Sequence, residues 1–237
     1  MTTSLERPRF IAHRGIARER PENTLPAFLR ALELGADGIE LDVHCTKDRV
    51  VVVHHDEIPK ATAPSRALAG KRIDALTFDE LQGFSVDGTA LIPTLAEVLA
   101  ALRGRLDVFV ELKGHGIEGP VLDVIHQSPA PARCAVHSFD HEAIRRIRSV
   151  AAGVRGGILF DAPPADVVAA MRFADARDVW PREDLIDAAM VNAVHGAGGR
   201  VLAWTVNDPA RGVKLAALGV DGLCTDALVA VREAFAA

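Results

Sequence analysis

Short apolar runs alternate with segments of helical period from one end of this chain to the other, and that alternation narrows its possible folds more than any other feature. Phe10-Ile11-Ala12 reads as a first strand, and Leu25, Phe28, Leu29 and Leu32 then share a helix face closed by Gly35. A strand over 38–43 and the β-branched run Val50-Val51-Val52-Val53 come next. Scattered Pro, Gly and Ser from about 57 to 89 break the rhythm and read as an insertion. Thr94-Leu95-Ala96-Glu97 is a capping box that opens a helix through Leu102. Strands follow at 107–111, 134–137, 157–160, 201–204 and 222–224, with helices near 117–126, after Asp140, around Ile186 to Val194 and from Asp208-Pro209. Residues 164–180 hold a short helix and a weak strand, and Asp226 is expected to open the last helix. Strands alternating with helices make a parallel sheet with crossover helices. About eight such repeats in 237 residues suit an α/β fold closed as a (β/α)8 TIM barrel. The expectation is one domain over 1–237, with the insertion following the second barrel strand. A doubly wound open sheet would more often carry a glycine-rich phosphate loop, and neither G-x-G-x-x-G nor a P-loop lysine motif occurs.

Hydrophobic residues at 49% and charged residues at 25% describe an ordinary globular chain, and a net charge of −5 disfavours nucleic acid or an anionic membrane as partner. Arg145, Arg146 and Arg148 are a solvated helix face at helical spacing. Cys45, Cys134 and Cys224 are scattered without C-x-x-C spacing, which fits a reducing compartment and argues against disulfides or zinc. Residues 1–8 lack the apolar core of a signal peptide, and no apolar run is long enough to span a bilayer. A cytoplasmic protein is expected, its oligomeric state open, with a homodimer among the options.

Glu40 and Asp42 are two apart on a strand whose odd positions are apolar, so both acids share the other face. Facing one interior, they repel and resist burial unless neutralised, and a hard divalent cation is a natural neutraliser. An isolated E-x-D is more often a solvated edge-strand face; here the neighbours change the balance. His13-Arg14, Glu40 with Asp42, Glu111 with Lys113, His137-Ser138, Phe160-Asp161, Trp204-Thr205 with Asn207, and Thr225-Asp226 fall late in seven strands or just after them. In a barrel those ends meet on the face that carries active sites. Glu40, Asp42 and Glu111 would supply oxygen ligands for Mg2+ or Ca2+. Arg14 and Lys113 would face phosphate oxygens, His13 and His55 would move protons, and Trp204 would form an apolar wall. Singly, each residue has a plainer role: a hydrogen-bonded structural histidine, a lysine paired with a carboxylate, a core tryptophan.

Together these stretches resemble the glycerophosphodiester phosphodiesterase family. The resemblance rests on His13-Arg14-Gly15, Pro21-Glu22-Asn23-Thr24, the run from Gly35 to Val43, Thr46-Lys47-Asp48, Val51 to Asp56, Ile92-Pro93-Thr94-Leu95 and Glu111-Leu112-Lys113. It continues in order through Trp204-Thr205-Val206-Asn207, Gly219-Val220-Asp221-Gly222 and Thr225-Asp226. It implies a (β/α)8 barrel with a small insertion, His13 and His55 as catalytic histidines, Glu40, Asp42 and Glu111 as metal ligands, and Arg14 and Lys113 on the phosphate. Asn23 and Trp204 would shape the site. His54 should face away from His55, and His44 should be a solvent-exposed rim residue. Two departures stand out: Ile58-Pro59-Lys60-Ala61-Thr62 replaces an Arg-Thr-Thr-like stretch, and Ala227 follows Asp226 where a proline commonly comes soon after.

The resulting expectation is metal-dependent hydrolysis of a glycerophosphodiester to sn-glycerol 3-phosphate and an alcohol, with His13 as base and His55 as acid. Related readings are a barrel phosphodiesterase acting on lysophospholipids (phospholipase D-like) or a non-catalytic phosphate- or metal-binding module. An extended apolar groove beside Trp204 would favour the lipid, and a lost histidine or carboxylate would mark the binding module.

Overall fold

The computed structural model describes residues 7–60 and 65–236. Met1 to Glu6, and Ala61-Thr62 of the departing stretch, lie outside the described residues. The barrel strands are β1 (Arg9–His13), β2 (Gly38–Cys45), β3 (Asp107–Leu112), β4 (Cys134–Ser138), β5 (Arg155–Phe160), β6 (Asp178–Pro181), β7 (Arg200–Ala203) and β8 (Gly222–Thr225). All eight neighbouring pairs are parallel, and β1 joins both β8 and β2, so the sheet closes on itself as a TIM barrel. The outer ring is α1 (Leu25–Glu33), α2 (Leu95–Leu102), α3 (Glu118–Gln127), α4 (His141–Val150), α5 (Val167–Ala174), α6 (Ala188–Gly196), α7 (Pro209–Ala217) and α8 (Leu228–Glu233).

Local chemistry starts many of these helices where a strand has just ended. The Thr94–Glu97 box closes in both directions, and the side chains of Asp140, Asp166, Asp187 and Asp208 accept from first-turn amides. Asp226 behaves differently from the expectation. It lies before α8 without capping it, because its carboxylate is committed to His13 and Asn207. The valine run is also not a barrel stave: Val51–Val53 turns back antiparallel to the end of β2, pairing Val43 with Val53. That return brings His54 and His55 back toward the mouth.

Between it and α2 lie two 3₁₀ turns, a short helix (Phe78–Leu81) and a hairpin of Ser85–Val86 with Ala90–Leu91. Ile73, Leu76, Leu81, Phe84 and Ile92 bury against Val52 to give this segment its own small core. The barrel centre holds Ile11, Phe109, Ala135, Leu159, Trp180, Leu202 and Cys224, while the larger apolar cluster lies between strands and helices. At the N-terminal ends of the strands, buried Asp107 meets Arg9 at 2.8 Å and Arg133 at 3.1 Å, and Asp178 takes a two-pronged bond from Arg200. The polar groups at that end are therefore spent on structure.

Two adjacent glycines in β5 show how tightly the layers fit. A Cβ on Gly156 would lie 2.9 Å from the Ile144 side chain on α4. Gly156→Ala should therefore cost about 1–3 kcal/mol through overpacking, and Ile144→Ala about 2–5 kcal/mol through its cavity. In urea unfolding the double variant should lose less than the sum of the two, because the new methyl occupies space the isoleucine vacates. Simple additivity would contradict this packing.

Candidate active site

The register of the staves assembles the site. His13 pairs with Glu40, Asp42 with Glu111, and Glu111 with His137, so residues at matching heights from β1 to β4 converge at the barrel mouth. His13, Glu40, His55, Glu111, Lys113 and Trp204 line a cavity of about 170 Å³ there, together with Arg14, Phe139, Leu159 and Trp180. Asp42, two residues along β2 from Glu40, is buried at 1% exposure.

The corner after β1 carries unusual backbone. Arg14 and Asn23 both have positive φ, and Gly15 at φ +83° has no room for a Cβ, which would lie 2.7 Å from that of Ala27. This corner turns the Arg14 amide toward Glu40 Oε2 at 3.3 Å. It also lets Asn23 clamp Asp42, donating to its carboxylate at 2.8 Å and accepting its backbone N–H at 3.3 Å. Arg14 lies 3.2 Å from Asp42 Oδ2 and bonds Glu22 at 3.0 Å, and Lys113 stands 3.1 Å from Glu111 and 3.8 Å from Asp42. Both expected phosphate-facing cations are thus held over the acids.

Three carboxylates in one buried place cannot all remain ordinary acids. Burial, with Asp42 and Glu111 close by, pushes Glu40 well above the usual range. Burial and Asp42 raise Glu111 to about 7. Burial pushes Asp42 upward as well, yet Arg14, Lys113 and the Asn23 amide outweigh it and hold that carboxyl low. Asp42 is accordingly the permanent anion, and Glu40 with Glu111 carries the strain. Among the described residues Glu40 Oε1 and Asp42 Oδ1, both buried, find no hydrogen-bond partner, which is costly for an anion unless a cation meets them. Glu40, Glu111 and His137 present ligand atoms all within 4.8 Å of one another. These oxygens, beside two acids that resist ionisation alone, fit a divalent cation.

His13 and His55 are each oriented by a carboxylate at Nδ1, Asp226 at 2.7 Å and Asp56 at 2.8 Å. Asn207 donates to Asp226 at 2.7 Å and accepts from its backbone N–H, which fixes the dyad. The other ring nitrogen of His13 lies 3.8 Å from Glu40. His54 takes the other direction and faces a neighbouring cavity with Glu22 and Asp56. His44 corrects its expected role as an exposed rim residue: β2 runs on through Cys45, and His44 is buried, with its Nε2 3.1 Å from the His55 carbonyl oxygen. Trp204 donates from Nε1 to the Trp180 carbonyl at 2.9 Å and meets half-exposed Phe139 edge-on at 5.7 Å.

Sequence reasoning left Trp180, Phe139 and the roles of Asp226, Asn207 and His137 unassigned. Trp180 sat in the stretch read as a weak strand. His137, Asn207 and Asp226 were visible at strand ends, but their partners lie on other staves.

A model of the glycerophosphoryl diester phosphodiesterase family matches residues 13–230. The chain belongs to that family. It is 32% identical over 230 residues to a glycerophosphodiester phosphodiesterase of Caldanaerobacter subterraneus, covering 91% of this chain and 93% of that one. A glycerophosphodiester phosphodiesterase of Bacillus altitudinis is 30% identical, over 92% of this chain and 94% of the relative. Among solved structures, an Oleispira antarctica phosphodiesterase in complex with its product sn-glycerol-3-phosphate superposes with a TM-score of 0.87 at 25% identity, covering 98% of both chains. The family and these relatives make the protein an enzyme of the glycerophosphodiester phosphodiesterase class. Among the described residues no helix is long and apolar enough to cross a membrane.

The raised acids set a pH dependence with a definite sign. A carboxyl that ionises near 4.5 when unfolded but at about 7 when folded holds an extra proton in the native state between those values. Its contribution to stability therefore falls as pH rises through that window. Without metal, Glu111→Gln should therefore raise the unfolding temperature relative to wild type more at about pH 8 than at about pH 5. An unchanged pH dependence in the variant would contradict the burial of Glu111 as a strained acid.

Proposed function

We propose that this enzyme hydrolyses a glycerophosphodiester, such as glycerophosphocholine or glycerophosphoethanolamine, to sn-glycerol 3-phosphate and an alcohol. In this reading Glu40, Asp42 and Glu111 hold one divalent cation, Mg2+ or Ca2+, and His13 and His55 act as base and acid. The observation that carries it is the pair of imidazoles, each with Nδ1 against its own carboxylate, on a cavity whose buried acids lack partners on two oxygens.

When bound, the cation supplies a Lewis acid that draws charge from a phosphate oxygen. The side chains do the rest. Arg14 and Lys113, already placed over the carboxylates, present fixed positive charge to the non-bridging oxygens, where charge grows in the transition state. Asp226 keeps the His13 proton on Nδ1, which leaves Nε2 to take the proton of the nucleophile, water or the substrate's neighbouring hydroxyl. Asp56 orients the His55 ring at 2.8 Å, and His55 gives a proton to the departing alkoxide. Trp204 and Phe139 form the apolar lip against which the glycerol carbons lie. A cavity of about 170 Å³ suits a glycerol phosphate group better than an acyl chain, which favours the short diester over a lysophospholipid.

Release of sn-glycerol 3-phosphate from glycerophosphocholine should stop with EDTA and return with Mg2+ or Ca2+. His13→Ala and His55→Ala should each lower kcat by about 10²–10⁴-fold while isothermal titration still detects the cation. Near-normal turnover in both variants would sink the two-histidine scheme, and turnover indifferent to chelation would sink the metal.

A further inference from the structure

The floor of the cavity holds a histidine that the proposed chemistry does not use. His137, on β4, is fully enclosed at 1% exposure, and its ring stacks on Trp180 with centroids 4.5 Å apart and planes 12° from parallel. The chain makes room for this stack at a glycine. A Cβ on Gly157, the β5 residue paired with His137, would lie 2.9 Å from Trp180 Nε1 and 3.1 Å from His137 Cβ. One edge of the ring is sealed, with Nδ1 buried and unpartnered. The other edge points at the acids, with Nε2 3.8 Å from Glu40 Oε1, itself buried and unpartnered.

That separation is too long for a hydrogen bond, yet it is within the span that two ligand atoms can cover when they share one ion about 2.0–2.2 Å from each. The ring is buried, and among the described residues its Nδ1 has no hydrogen-bond partner; a neutral imidazole keeps one nitrogen with a free lone pair. With the proton on Nδ1, that lone pair faces the Glu40 oxygen, acceptor against acceptor, and only a proton or a cation between them relieves the contact. With the proton on Nε2, the donor falls short of its acceptor.

We propose that His137 Nε2 is a ligand of the cation held by Glu40 and Glu111, and that this nitrogen biases the site toward borderline ions such as Co2+ or Zn2+ and away from Ca2+. The inference rests on the proposed metal site and extends it. All-oxygen sites suit Ca2+ and Mg2+, whereas imidazole brings first-row transition ions into favour. Glu40 and Glu111 provide oxygens on one side, and the Trp180 stack fixes the ring on the other. Phosphate hydrolysis would then depend on a mixed nitrogen and oxygen donor set.

The probe is Mn2+ alone, bound to the intact protein and read by pulsed electron paramagnetic resonance rather than by turnover. Wild type should show a directly coordinated ¹⁴N coupling, which changes to ¹⁵N when only histidine is labelled. The coupling should vanish in His137→Gln and persist in His13→Gln, whose ring also approaches Glu40 at 3.8 Å. His137→Gln should also shift the competition between Zn2+ and Ca2+ toward Ca2+ by about tenfold or more. Bound Mn2+ without nitrogen coupling in wild type, or coupling that survives His137→Gln, overturns the assignment while leaving the metal site standing. No Mn2+ or Ca2+ binding at all overturns the metal site itself. If His137→Gln fails to fold by circular dichroism, the labelled wild type and His13→Gln still decide, since loss of coupling in His13→Gln would give the nitrogen to His13.

Discussion

The burial of three carboxylates in one barrel mouth is the constraint on which the rest of the site depends. Glu40, Asp42 and Glu111 are crowded there by the register of β2 and β3, where repulsion and desolvation both oppose ionisation. Arg14, Lys113 and Asn23 relieve Asp42. Their placement in turn depends on the positive-φ corner at Arg14 and Gly15 and on the tight approach of Ala27 from α1. What remains, two oxygens without partners, gives a cation its place. Substrate charge, cation and basic side chains therefore belong to a single electrostatic balance, and no member of it can be changed alone.

The barrel divides its charged residues by end. At the N-terminal ends of the strands, Asp107 and Asp178 are saturated by arginines and do nothing but close the structure. At the C-terminal ends, carboxylates instead orient histidines: Asp226 for His13 and Asp56 for His55. The same residue type closes the structure in one place and orients a histidine in the other because the partner differs. A guanidinium cannot lose its proton in this range, whereas an imidazole can. Asp226 illustrates the choice, since its position suits a helix cap and its carboxylate goes to the His13 ring instead.

The alternation of apolar runs and helical segments was enough to read the barrel, its eight staves and the insertion, because each stave is a short local pattern bounded by turn and capping residues. Capping at Thr94, Asp140 and Asp208 was equally local and is present. The β-branched run at 50–53 was legible and holds a strand at Val51–Val53, but its pairing was not. Local composition does not distinguish a parallel strand from one that folds back on its predecessor. His44 was misplaced for a related reason: β2 extends two residues past Val43, which moves His44 from the rim into the packed interior.

By itself the sequence determined the inventory: acids two apart on one strand face, histidines at strand ends, and the spacing of the motifs that marks the family. Tertiary structure decided the pairings, since Asp226 meets His13 across 213 positions and Asn23 meets Asp42 across 19. It also decided which histidines face the cavity. His55 reaches it, His54 turns away, and His137 is drawn into the floor by a stack on Trp180 that Gly157 makes room for. The physical reason is that strand periodicity sets the face a side chain takes, while the neighbour waiting on that face is set by barrel closure, which brings distant segments side by side.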